Sequence, residues 1–398
     1  MKLFLNRNFF LIWSGKLVSI IGDRFYTIVL ALWVLQKSDS PAIMGAMLVA
    51  SALPAFLVGF VSGAIVDRAN KKRIMVVTDL VRGLLISLIA YLKLAGVLQL
   101  WHIFAVSILV SVLNAFFDPA VKALIPEVVA EKDLPGANAL EQLINGMSGV
   151  IAPVLGAAAI GTAGYSGGFL INGISFVLSA FFELFIDAPK AAGRPRAQTR
   201  RLTADVKSGF AFVLQNGALL KVVAIIAAAH FAVGSFSLVL PFLAQAISAG
   251  AMNLGLLQGS IGVGMVIGAT KLNVKNLRGR NSRLLIALIC ILGALYFLVG
   301  ALRTLHVASI LPYLAAAALM GITLSNAASF WQLLLQLETP PDMRGRVFGI
   351  VSILSNISMP IAYGAVGILL EYIGFPLYLM LLGALLLWLS LAWRRKFN

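Results

Sequence analysis

The chain has 398 residues, of which 60% are hydrophobic and 12% charged, with a net charge of +16. That leaves too little polar surface to cover a soluble globule of this length, so a second, soluble domain is not expected. Cys290 is the only cysteine, which excludes a disulfide framework and a thiolate metal site.

Apolar runs of about 20 residues cross a bilayer as helices. Twelve such spans are predicted, at 9-36, 42-66, 74-94, 101-121, 137-161, 168-187, 218-245, 253-272, 283-302, 308-331, 346-370 and 376-393. The first span is longer than a signal-peptide apolar region and no small-residue cleavage site follows it, so it is expected to remain as a span. The composition breaks at 188-217, a polar, basic segment with Pro189 and Pro195, and an amphipathic stretch from Leu202 to Leu214 suits the membrane surface. This linker separates residues 1-187, an N-terminal six-helix bundle, from 218-398, a C-terminal one. The spacing of Gly59, Gly63 and Arg73 recurs at Gly264, Gly268 and Arg278. Asn114-Ala115 recurs at Asn326-Ala327, and Pro153 is echoed by Pro360. The echoes favour two pseudo-symmetric halves in an all-α integral membrane fold, as in carriers that rock two bundles about a central site.

Of the 31 Lys and Arg residues, 25 fall on the termini and alternate loops, three (Lys37, Lys93 and Arg303) on the intervening loops, and Lys16, Arg24 and Arg82 inside spans. By the positive-inside rule both termini and the linker are expected to be cytoplasmic. The basic excess then meets anionic lipid headgroups and requires no nucleic acid.

Between the second and third spans the chain reads Gly63-Ala-Ile-Val-Asp67-Arg68-Ala-Asn70-Lys71-Lys72-Arg73. A small residue lets helices approach, an acid can face a helix N-terminus, and a basic cluster holds the loop at the inner surface. This segment resembles the G-x-x-x-D-R-x-G-R-[RK]-[RK] loop of the major facilitator superfamily, with Asn70 in place of the loop glycine and Lys71 in place of the next arginine. The resemblance implies that Asp67 faces the start of the eleventh helix near Arg346-Ser352, and that Arg68 or Lys71 approaches Asp118. Gly63, Asp67, Arg68, Lys71 and Asp118 are thus the gating candidates. Ser148-x-x-x-Ala152-Pro153-x-x-Gly156-Ala157 resembles a degenerate antiporter signature, although Pro and small residues also kink and pack membrane helices.

Within the superfamily the chain resembles the macrolide-efflux and siderophore-exporter branch, through Gly22-Asp23, the run Asn114-Ala-Phe-Phe-Asp118-Pro-Ala120, Ile125-Pro126-Glu127 and residues 340-349. Lysophospholipid transporters share Pro119 and Lys122. The fourth span lacks the basic residue of drug antiporters.

Polar residues inside spans are costly and mark function or interhelical bonding. Ser107, Ser111, Asn114 and Asp118 form one stripe on the fourth span; Lys16, Asp23 and Thr27 form another on the first, with Arg24 beside it. His230 and Ser237 on the seventh span, and Thr323 and Asn326 on the tenth, occupy corresponding faces. The resemblance implies that these four helices line the central cavity, with the aromatic set Phe25, Tyr26, Phe116, Phe117 and Phe330 suited to an apolar or planar substrate. Lys16, Arg24, Thr27, Ser107, Ser111, Asn114, His230, Ser237, Thr323 and Asn326 are therefore the cavity candidates. Asp23, deep in a span, is the first candidate for proton coupling and Glu141 the second. Arg24 could instead pair with Asp23 as a gate. Asp79 and Arg82 suit a structural pair, and Glu183 and Asp187 an interfacial position.

The expected function is secondary active, proton-coupled efflux of an amphipathic organic molecule across a bacterial plasma membrane, by a monomer with no cofactor or metal. A lysophospholipid flippase-like carrier and a small-solute importer are the alternatives within transport. An intramembrane enzyme is the alternative of another class, and the absence of nucleotide-binding and H-E-x-x-H motifs argues against it.

Overall fold

The computed structural model describes residues 6-187, 210-248, 251-271, 283-340 and 343-396. Apart from one short 3-10 turn at Glu131–Asp133, the regular structure of these residues is α-helical. The helices are α1 (Arg7–Ser38), α2 (Pro41–Val66), α3 (Lys71–Leu94), α4 (Leu100–Val128), α5 and α6 (the two arms of Leu134–Leu184), α7 (Gly217–Ile247), α8 (Ala251–Lys271), α9 (Arg283–Thr304), α10 (Leu311–Glu338), α11 (Arg344–Leu370) and α12 (Phe375–Lys396). Helices satisfy their own backbone groups, which lipid cannot do, and an apolar exterior is then free to face the bilayer.

The 51 residues from Leu134 to Leu184 would span about 77 Å as one helix, more than twice the hydrocarbon thickness. Gly164 divides them, with φ 64° and ψ −173°, a conformation that only glycine adopts without strain. Contacts with α1 show the reversal. Along α5, Leu140 and Glu141 meet Trp13 and Lys16 while Gly156 meets Phe25; along α6 the order inverts, with Gly168 at Val29, Gly22 at Ser175 and Gly15 at Ser179.

Local chemistry sets the helix starts. Asn6, Ser40 and Asn70 each accept the backbone N–H three residues on, at 3.2, 3.2 and 3.0 Å, as N-cap side chains do. Asn70 therefore starts α3 where the resembled loop carries glycine, and with φ −73° it needs no glycine. The fourth span was expected to end at 121, yet α4 runs through Pro119 and Pro126 to Val128. Residues 122-128 are consequently helical.

Contacts group the chain into Met1–Pro195 with Gly250–Gly259, and Arg196–Ala249 with Ser260–Asn398. In the first unit α1 and α3 pack on the α5–α6 pair, and α4 packs on α2 and α3. One end of this unit is closed by an apolar cluster that includes Phe9, Val66, Met75, Phe117, Leu124 and Ile186. In the second unit α9 packs on α12 and α10, and α7 on α11. A short helical segment, 210-215, lies in the described part of the amphipathic stretch; Leu202 to Gly209 lie outside the described residues. Its Val213 is buried with Leu219, Val223, Ile226 and Val347, while Leu214 is exposed.

Small residues act unequally in the two echoed helices. A Cβ on Gly264 would meet the backbone of Ala318, and one on Gly321 would meet that of Ile261, so glycine brings α8 and α10 together. Nothing within the first unit comes within 4 Å of a Cβ on Gly59 or Gly63. The expectation that Gly63 supports a close helix approach is not met in its own bundle, because Gly59 and Gly63 lie on a face of α2 that no neighbour approaches there.

Candidate functional site

Inside the first unit α1, α2 and α4 line a partly open cavity of about 190 Å³. Its wall includes Asp23, Tyr26 and Thr27 from α1, Met44, Met47 and Ser51 from α2, and Ser107, Ser111 and Asn114 from α4. Five of the predicted residues, Asp23, Thr27, Ser107, Ser111 and Asn114, thus meet at one place. Asp23 is the single carboxylate of this wall. The engineered apolar cavity of about 150 Å³ that admits benzene sets the scale: this one has room for a ring-sized fragment.

The wall's polar groups also hold the helices together. Tyr26 Oη and Ser107 Oγ lie 3.2 Å apart across α1 and α4. Ser111 Oγ accepts the Ala55 N–H at 3.0 Å, next to Pro54 inside α2, where a helical ladder is interrupted. Thr27 turns back to the Asp23 carbonyl at 2.8 Å. Ser107 and Ser111 therefore bond between helices as well as forming the wall, whereas Ser51 Oγ donates within α2 to the Met47 carbonyl at 3.0 Å. Of the aromatic set only Tyr26 lines the cavity. Phe117 stacks under Arg82 at 4.3 Å, Phe116 packs into the apolar cluster, and Phe25 and Phe330 are buried. Met44, Met47 and Ser51 went unforeseen because α2 was not counted among the cavity helices.

Lys16 and Glu141, expected in the cavity and at a coupling site, instead form an ion pair between α1 and α5. Arg24 is exposed and, among the described residues, makes no ion pair with Asp23. Asp67 and Arg68 are exposed at the end of α2. Lys71 Nζ lies 3.1 Å from Glu127 Oε1. Lys71 thus pairs with Glu127 in place of the expected Asp118: α4 continues almost three turns beyond Asp118, which is exposed.

In the second unit His230, Ser237, Thr323 and Asn326 each bond the carbonyl four residues earlier, at 2.7 to 2.9 Å. Membrane-helix polar groups are commonly satisfied in this way. Trp331 packs edge-on to His230, with ring centroids 6.5 Å apart.

Behind the cavity lies a polar cluster that was only half foreseen. Asp79 and Arg82 pair within α3, and Arg82 also donates to Asn114 on α4. The guanidinium absent from the fourth span thus reaches it from the third. Phe117 and Phe176 rings lie 4.3 and 4.4 Å from its central carbon, an arrangement that favours a desolvated cation. Glu183, expected at an interface, is 1% exposed and lies within the same electrostatic environment as Asp79 and Arg82. By contrast Asp187 is exposed and 3.4 Å from Arg7. A stripe of Asn172, Ser175, Ser179 and Glu183 along α6, all buried, has the spacing that exposes α4's polar face. It was the available signal.

Membrane-crossing helices in two compact units, with a carboxylate-lined cavity inside the first, define a multi-pass membrane transporter. Eleven helical stretches among the described residues are long and apolar enough to cross, one of them being the divided α5–α6 pair. Residues 12–363 match the model of the Major Facilitator Superfamily, and the chain belongs to that superfamily. It is 26% identical to the uncharacterized MFS-type transporter YfiS of Bacillus subtilis, over 95% of this chain and 90% of that protein. Identity to macrolide efflux protein A of Streptococcus pyogenes is 21%, over 96% of this chain and 94% of the relative. Among solved structures, an inward-facing bacterial homologue of the iron transporter ferroportin aligns with a TM-score of 0.74 at 17% identity, covering 97% of this chain and 98% of the other. The nucleoside transporter NupG aligns at 0.74 with 12% identity, covering 98% and 99%. These structural likenesses show the shared fold.

Proposed function

We propose that the chain exports an amphipathic organic compound in exchange for protons, by alternating access, from a bacterial plasma membrane in which both termini face the cytoplasm. The observation that carries this reading is the cavity of α1, α2 and α4: one carboxylate, Asp23, set among Tyr26, Leu30, Met44, Met47 and small hydroxyls. Methionine and leucine walls adapt to varied apolar shapes. A carboxylate there changes the charge of a low-dielectric space when it binds a proton, and so biases the protein between its conformational states. Relatives named for macrolide efflux and for multidrug efflux support export, and the charge distribution over the loops supports the orientation. Monomeric function, a surrounding of anionic lipid and independence of any cofactor belong to the same reading.

The test is flux in proteoliposomes across a panel of macrolide, cationic dye and lysophospholipid, with and without a proton gradient. Uphill accumulation of the macrolide or dye that collapses with the gradient is expected. Asp23→Asn should abolish uphill transport and retain downhill exchange, because the amide imitates the protonated acid and cannot cycle. Full proton-driven accumulation by this variant would remove Asp23 from the coupling role. Movement of the lysolipid alone would replace the drug-exporter reading with a lipid carrier.

A further inference from the structure

The cluster on α3, α4 and α6 has more negative charge than its cation can compensate. Arg82 makes three hydrogen bonds: Nη2 to Asp79, Nη1 to Asn114 and Nε to the Thr78 carbonyl at 3.4 Å. None of these goes to Glu183. Both carboxyl-bearing residues are essentially inaccessible, Asp79 at 0% and Glu183 at 1%, and Asp79 Oδ2 and Glu183 Oε2 have no hydrogen-bond partner. Ser179 Oγ, one turn before Glu183 on α6, is likewise buried without a hydrogen-bond partner. Glu183 also sits in the last turn of α6, where the helix carbonyls disfavour a second negative charge. An ionised carboxylate buried without a partner is strongly disfavoured. With all three groups ionised the cluster carries one net negative charge, and one proton brings it to neutrality.

Among the described residues no other cation forms an ion pair with Asp79 or Glu183. From α1 come Asp23, with Arg24 next to it, and Lys16, which is held by Glu141; α4 contributes Asp118. The centre of the cluster is filled by the guanidinium between its two phenyl rings, and among the described residues no group of His, Cys, Asp and Glu is arranged to hold a metal ion. Glycines lock the geometry. A Cβ on Gly83 would lie 2.9 Å from the Gly173 carbonyl oxygen, so α3 and α6 are in backbone contact immediately beside Arg82.

We propose that Asp79 and Glu183 form a second proton-binding site, holding one proton between them, and that Arg82 reports its occupancy to the cavity through Asn114. The proton adds to a carboxylate oxygen from water and returns to water, with no other bond made or broken. When it leaves, the second carboxylate competes with Asn114 for Arg82, and the amide at the cavity wall is released. That transport consequence rests on the proton-coupled reading above; the binding of the proton does not.

The test is infrared difference spectroscopy of the purified full chain in lipid, following the carboxylic acid C=O stretch and its deuterium shift as pH is varied. A titrating band is expected in the wild type, retained in Asp23→Asn, and lost in Glu183→Gln or Asp79→Asn. Ser179→Ala, a small change for the fold, should move the band's frequency. The proposal is overturned by a wild type with no titrating band, by loss of the band in Asp23→Asn alone, or by a band indifferent to the cluster substitutions and to Ser179→Ala. Because this readout needs no substrate, a drug panel that shows no transport leaves it intact, and the reverse also holds.

Discussion

The contact between α3 and α6 predicts the outcome of adding one methyl group. In Gly83→Ala the new Cβ would stand 2.8 Å from Val177 Cγ2, 2.9 Å from the Gly173 carbonyl oxygen and 3.2 Å from the Val177 amide nitrogen. Two of those atoms are backbone and cannot rotate away, so the helices must separate. Overpacking of this kind costs about 1–3 kcal/mol, and the upper part of the range applies to a backbone clash. Alanine's advantage over glycine in a helix offsets about 1 kcal/mol, leaving a net loss of about 1–2 kcal/mol. The reciprocal Gly173→Ala would place its Cβ 3.0 Å from the Ser87 amide and 3.1 Å from the Gly83 carbonyl oxygen. Once the helices have parted for one methyl, the other finds room, and the double variant should lose less than the two singles added. Gly59→Ala is the control, since nothing in its unit lies within 4 Å of the added carbon. Equilibrium unfolding of the purified protein in mixed detergent, followed by tryptophan fluorescence, reads all four. A Gly83→Ala protein as stable as Gly59→Ala would refute the claim that these glycines set the α3–α6 distance.

Glu141→Gln should destabilise by about 1–3 kcal/mol, because it strands the largely shielded Lys16 ammonium; Lys16→Met with Glu141→Leu should recover most of that loss in the same unfolding assay. Equal stability of Glu141→Gln and wild type would return Glu141 to the coupling candidates. For Lys71 and Glu127, largely shielded at 10% and 20% side-chain exposure, a double-mutant cycle should give a coupling of about 1–3 kcal/mol, between exposed and fully buried pairs. A coupling near zero would show that the pair does not tie α3 to α4. In a Cys290→Ser background, cysteines at Asn70 and Ala130 should be labelled by an impermeant maleimide from the cytoplasmic side, and those at Ser40 and Ala95 from the opposite side. The reverse pattern would invert the proposed orientation.

Length, apolar run length and the spread of basic residues were enough to place twelve helices, because a bilayer imposes one length and one way of satisfying the backbone on every crossing segment. The polar stripe on α4 was legible for the same reason: with apolar residues as the default, Ser107, Ser111 and Asn114 stand out at helical spacing. They do meet Asp23 at one cavity. What periodicity cannot contain is the partner across a helix interface. Lys16 and Glu141 are 125 positions apart, and only folding makes them a pair. Arg82 belongs by sequence to Asp79, yet tertiary packing brings it to Asn114 and Phe176 and places Glu183 within its reach. An i, i+3 pair needs one helix, whereas the charge balance of this cluster depends on three helices in register. Equally, Gly63 and Gly83 are the same residue in similar apolar surroundings. Only the path of the neighbouring helix decides that Gly83 touches a backbone while Gly63, in its own bundle, touches nothing. Hydropathy acts on each segment independently and is written locally; close packing and buried charge are pairwise, and they exist only once the segments have met.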